Sequence, residues 1–129
     1  MACGLHLKYQ LNMTVRALAD QANLKLLLEP AKARGEVVRL FASNTMSELI
    51  ANAGGDTLLV TSLNNSQIVR VAELMEAPGI CLVDGAAPRA ELLAGAKLAG
   101  TAILVSQSDL ETTRRALERR LREAGAGGR

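Results

Sequence analysis

The chain has 129 residues, enough for one domain that buries roughly two thirds of the surface its unfolded form exposes. Apolar residues make up 49% but aromatics only 2%, with Tyr9 and Phe41 alone, so the core is built from Leu, Ile, Val, Ala and Met. A formal net charge of +2 and the lack of aromatic platforms for bases exclude a strong nucleic-acid binder.

Residues 1–12, "MACGLHLKYQLN", lack the charged start and apolar core of a secretory signal, and Met13 opens the first clear pattern. They are expected to be an N-terminal extension ahead of a domain over 13–124; a non-native expression remnant or an extra strand are the alternatives. Apolar residues then fall at i, i+3, i+4 and i+7 in Val15, Leu18, Ala19 and Ala22, again in Met46, Leu49, Ile50 and Ala53, and again in Ile68, Val71, Ala72 and Met75. That spacing lines one face of a helix. Two less regular helices are expected, one over 88–99 with Pro88 in its first turn, the other from Ser108 with Leu110, Leu117 and Leu121 on one side. Thr45 with Glu48, and Ser108 with Glu111, match the capping box that satisfies the first free backbone N–H groups of a helix.

Short apolar runs separate the helices: "LKLLL" at 24–28, "VVRLF" at 37–41, "TLLVT" at 57–61, "ICLV" at 80–83 and "AILV" at 102–105. Such runs suit strands buried on both faces. The last three begin at 57, 80 and 102, steps of 23 and 22 residues, the rhythm of right-handed βαβ crossovers. The expected fold is therefore α/β: a single three-layer domain with a mostly parallel sheet of about five short strands flanked by about five helices. Between 24 and 41 there is no room for a helix, so that pair of strands is expected at one edge with mixed direction. Gly54, Gly55, Gly79 and Gly100 each stand before a strand, where positive φ would end a helix. The end of the chain, 125–129, lacks apolar anchors and is expected to fray as a flexible tail.

Catalytic templates fail for want of residues. His6 is the only histidine, which removes histidine triads and histidine-rich metal sites. "GAKLAGT" at 95–101 has no lysine beside its second glycine and is no phosphate loop. Glu73 and Glu76 read as a solvated face, and Arg114, Arg115, Arg119, Arg120 and Arg122 interleave with Glu111 and Glu118 as on an exposed, ion-paired helix. Cys81 lies in an apolar run and reads as a small buried hydrophobe, so no disulfide framework is implied. No run approaches the roughly 20 apolar residues of a membrane span, and a cytoplasmic location is expected. No cofactor or metal is expected.

In a parallel sheet, ligands collect at the carboxyl ends of strands, where helix N-termini aim N–H groups outward. Three expected loops share that edge, 62–66, 84–87 and 106–108. The candidate ligand residues are Thr61, Ser62, Asn64, Asn65, Ser66, Asp84, Gly85, Ser106 and Ser108. Asn64 or Asn65 is alternatively only a helix cap.

The runs "MTVRALADQANLKLLLEP", "IANAGGDTLLVTS", "APGICLVDGAAP" and "AELLAGAKLAGTAILVS" resemble the DRTGG domain, an α/β module related to the N-terminal domain of HPr serine kinase/phosphorylase. Its points of likeness are Asn52, Ala53, Gly55, Asp56, Thr61, Gly79, Ile80, Gly85, Pro88 and the segment 101–104. The string Asp-Arg-Thr-Gly-Gly itself does not occur, and the phosphate-binding loop of that kinase's catalytic domain is missing. The resemblance implies a non-catalytic regulatory domain that forms a homodimer, with a small anionic or nucleotide ligand or a protein as partner, and no nucleic acid or membrane. The alternative is a purely structural dimerisation module with no small ligand; an enzyme using Thr61, Ser62 and Asp84 is the third reading.

Overall fold

Three apolar runs at near-equal spacing pair with one another when each is followed by a helix that returns the chain to the same edge. The computed structural model, which describes residues 13–30 and 36–126, has this arrangement. Its elements in chain order are β1 (Met13–Thr14), α1 (Val15–Ala22), β2 (Lys25–Leu28), β3 (Glu36–Val37), β4 (Arg39–Ala42), α2 (Met46–Asn52), β5 (Thr57–Thr61), α3 (Ser66–Met75), β6 (Gly79–Leu82), α4 (Ala90–Ala99), β7 (Ala102–Val105) and α5 (Leu110–Ala126). The proposed extension with His6 and Cys3, and 127–129 of the proposed tail, lie outside the described residues; α5 runs two residues past position 124.

The five-stranded sheet has the order β2-β7-β6-β5-β4. β4, β5, β6 and β7 are mutually parallel, and β2 is antiparallel to β7. Residues of the central strands alternate between two cores. Leu58, Val60, Cys81, Val83 and Leu104 face Val15, Leu18 and Leu117 of α1 and α5. Leu59, Ile80, Leu82 and Ile103 face Leu49, Ile68, Ala72, Leu92 and Ala96 of α2, α3 and α4. The expected three-layer α/β architecture is the observed one.

Several local expectations are corrected. The strands from 24–28 and 37–41 do not share an edge: β2 and β4 close opposite edges, three strands apart. β2 is antiparallel, so it ends at the amino edge, where β4 begins, and the link between them needs no helix. The chain also breaks at Val38, and β3 pairs with β1 in a separate antiparallel ribbon, Met13 opposite Val37. Thr45 stands at the start of α2 without a side-chain cap bond. Ser43 engages Glu48 instead, donating to its carboxylate at 2.6 Å while accepting from the Thr45 N–H at 3.0 Å, so the expected Thr45–Glu48 box is not formed. At α5 the capping residue is Asp109, whose carboxylate accepts from the Thr112 N–H at 2.8 Å, and Glu111 is held by Arg114 and Arg115. Pro88 lies outside α4, which starts from Arg89.

Of the four glycines expected at positive φ, only Gly100 has it; Asn23 and Glu76 end α1 and α3 in the left-handed region. Gly79 serves a different need. It sits within β6, and a Cβ there would come within 3.1 Å of the Ala102 Cβ and 3.3 Å of Leu58 Cδ1.

Candidate functional site

The parallel strands β4 to β7 end at a common edge, from which α2, α3, α4 and α5 start. Backbone bonds join the loops there. Val83 N–H donates to Thr61 O at 3.2 Å, Asp84 N–H to Ser108 O at 2.8 Å, and Gly85 N–H to Ser106 O at 2.8 Å. Asp84 and Gly85 both adopt positive φ, 62° and 65°, and this left-handed pair turns two successive N–H groups toward the 106–108 loop. The three loops predicted from sequence are thus one connected edge.

The two asparagines separate in role. Asn65 is the cap of α3, its Oδ1 accepting from the Ile68 N–H at 3.1 Å. Asn64 bridges to the next loop: its Nδ2 donates to Ala87 O at 2.9 Å and its Oδ1 accepts from the Arg89 N–H at 2.9 Å. Thr61 is fully buried, and its Oγ1 accepts from the Leu63 N–H at 3.1 Å. Ser106 and Thr113 form a buried hydroxyl pair at 2.7 Å, and the Ser108 N–H donates to Ser106 Oγ at 3.1 Å. Ser62, Ser66, Asp84, Gly85 and Ser108 are exposed on the rim.

Two further residues belong to the edge. Asn44, in the loop after β4, accepts from the Ser62 N–H at 2.8 Å. Its signal was a polar residue between a strand and a helix, the same as for Asn64. Arg89 precedes α4, a helix with no side-chain cap bond, and its side chain is exposed at the same edge. Its signal was a cation directly after Pro88.

The chemistry available here is hydrogen bonding. Hydrogen bonds from Thr112 hold the Asp109 carboxyl below its usual range, which fits a cap rather than a proton carrier. Cys81 is free, and burial pushes its thiol up to about 12, leaving it unreactive. Among the described residues no group of three or more His, Cys, Asp or Glu could hold a metal ion, and no helix is long and apolar enough to cross a membrane.

A search of solved structures finds the crystal structure of the CBS and DRTGG domains of the regulatory region of Clostridium perfringens pyrophosphatase, complexed with its activator diadenosine tetraphosphate. The TM-score is 0.63 and the sequence identity 16%. The fold is DRTGG-like. The likeness covers 86% of this chain and 47% of that one, so the DRTGG-like chain spans about half the length of the protein it matches. No protein-family model matches the sequence, and no curated protein matches it.

Proposed function

We propose that this chain is a regulatory domain of the DRTGG type, without catalytic chemistry of its own. It acts by self-association in the cytoplasm and takes a small anionic or nucleotide ligand at the carboxyl edge of the sheet. The observation that carries the reading is the single polar edge made by loops 62–66, 84–87 and 106–108, next to the start of α4. It occurs on a fold shared with a regulatory region crystallised with a dinucleotide activator. Thr61, Ser62, Asn64, Asn65, Ser66, Asp84, Gly85, Ser106 and Ser108 remain the proposed ligand residues, with Arg89 added as the cation for a phosphate.

Thermal melting of the full chain with adenine nucleotides, diadenosine tetraphosphate, acetyl phosphate and inorganic phosphate tests the ligand. A ligand at a hundred times its dissociation constant stabilises the fold by about 2.7 kcal/mol, a rise of several degrees. No shift with any of them at millimolar concentration removes the ligand. Phosphoryl transfer or hydrolysis of ATP above a denatured control overturns the non-catalytic reading.

One observation favours the second reading, an assembly module with no small ligand. The side chains of Thr61, Asn64, Asn65 and Ser106 are already engaged in holding the loops together. The melting series separates the two readings.

A further inference from the structure

The two edge strands of the sheet differ. β2, at one edge, pairs with β7 through a register irregularity between Leu26 and Leu28. A bulge of that kind blunts an edge against further pairing. β4, at the other edge, pairs with β5 without interruption from Arg39 to Ala42, and among the described residues no strand lies on its outer side. The Arg39 and Ser43 N–H groups donate to Asp56 O and Val60 O. The alternation of a strand then turns the N–H and C=O groups of Leu40 and Ala42 away from the sheet.

The flank of α5 runs beside this edge. Val38, Arg39 and Leu40 face Glu118, Leu121 and Arg122 across an open hollow of about 360 Å³. A second hollow, of about 530 Å³, continues from Glu118 and Arg122 along the helix past Arg115 and Arg119. The first is apolar where Leu40, Leu121 and Val38, the last 43% exposed, come together. Arginine dominates the rest: Glu118 is the one carboxylate that lines either hollow. Arg115 is paired with Glu111, while Arg119 reaches Glu123 only at 4.0 Å and Arg39 reaches Asp56 at 3.5 Å. Arg122, where the two hollows join, is exposed and has no ion pair among the described residues.

We propose that the outer side of β4 takes an extended, acidic segment of another protein, which adds a strand to the sheet and lays carboxylates along Arg122 and Arg119. Strand addition draws affinity from main-chain bonds and specificity from alternate side chains. Leu40 and Ala42 supply the main-chain groups. Side chains of the added strand that point to the α5 side reach the hollow, where a carboxylate meets Arg122 in a charge-assisted bond. Charge also opposes a second copy here. Antiparallel pairing of β4 with its own copy would place both α5 helices on one side of the joined sheet and turn their arginines toward each other. The surface uses none of the ligand residues proposed at the carboxyl edge.

The test is fluorescence anisotropy of the full chain with a short labelled peptide in which Glu alternates with Thr or Val. Binding is expected, and it weakens at high salt. Arg122→Glu in the chain, or Lys for Glu in the peptide, is expected to weaken it by about tenfold or more. Of two peptides N-methylated at alternate nitrogens, one is expected to bind and the other not, because only every second N–H faces β4. Ala42→Pro removes an outward N–H and no bond to β5, a place where an edge strand tolerates proline, and is expected to abolish binding with circular dichroism unchanged. If that variant unfolds, the methylated pair decides. Lys25→Glu, on the opposite edge, is expected to change nothing. No binding of the Glu peptide, binding indifferent to Arg122→Glu, equal binding of the two methylated peptides, or loss of binding in Lys25→Glu overturns the proposal. So does loss of self-association in a folded Ala42→Pro chain, which puts a second copy on this edge.

Discussion

Asn64 and Asn65 are adjacent and chemically identical, yet they tolerate different replacements. Asn65 needs only an acceptor for the Ile68 N–H, so Asn65→Asp or Asn65→Ser should cost little and Asn65→Ala about 1 kcal/mol. Asn64 needs an acceptor for Arg89 N–H and a donor for Ala87 O at once. Asn64→Asp keeps the first and sets a carboxylate against the second, so with both bonds exposed it should destabilise by about 0.5–1.5 kcal/mol. Urea denaturation of the two Asp variants checks this, and equal costs would refute the division of labour. Asparagines before an apolar helix could be read from sequence as a cap. Which one caps could not, because the partners of Asn64 lie 23 and 25 residues away. The same limit moved the expected cap of α5 from Ser108 to Asp109 and left Thr45 at the start of α2 without a side-chain cap bond. The motif marks a helix start, but the capping residue depends on where the chain turns into it.

At the scale of elements, periodicity carried the reading where one face is apolar and the other polar, as in α1 and α3. Strands β5, β6 and β7 were legible as short runs buried on both faces. Gly79 shows what a run does not reveal. Its place is set by Ala102 across the pair and by Leu58, so Gly79→Ala should overpack the sheet and cost about 1–3 kcal/mol in thermal melting. A neutral result would mean that both neighbours can retreat. Helix α5 is a separate electrostatic element. The bond from Arg114, helped by Arg115, lowers the Glu111 carboxyl from 4.5 to about 2. A carboxyl lowered in the folded state favours folding above its unfolded value, and that share is lost as pH falls from about 4.5 through about 2. Far-UV circular dichroism over that range should show helix loss in wild type and a smaller change in Glu111→Gln. Asp109, also lowered, retains its part in both. Identical acid profiles would remove Glu111 as a contributor. Because Glu111 is well exposed, the effect should shrink at high salt.

For the whole molecule, the steps between the last three strands fixed a parallel centre, and the solved neighbour shares that fold at 16% identity. The edges were legible only in part: the missing helix between 24 and 41 pointed to mixed direction, which antiparallel β2 and parallel β4 show, but nothing there states that the two close opposite edges of the sheet. Asn64 holds the backbone N–H of the residue from which α4 starts, and this contact ties the loops proposed to take a ligand to the helix layer of the fold. Where the proposed ligand and the proposed self-association are coupled through this contact, the coupling is reciprocal: whatever factor the ligand changes the dimer constant by, dimerisation changes the ligand's affinity by the same factor. A coupling of about 1–3 kcal/mol, a change of about 5–150-fold, is the ordinary range. The prediction is a dimer constant that differs by such a factor with and without the nucleotide that raises the melting temperature. Asn64→Ala, which cuts the connection while leaving the Asn65 cap in place, should bring the factor close to one. Sedimentation with and without nucleotide, for wild type and this variant, measures it. A dimer constant indifferent to a nucleotide that does bind would leave ligand binding and self-association as independent events.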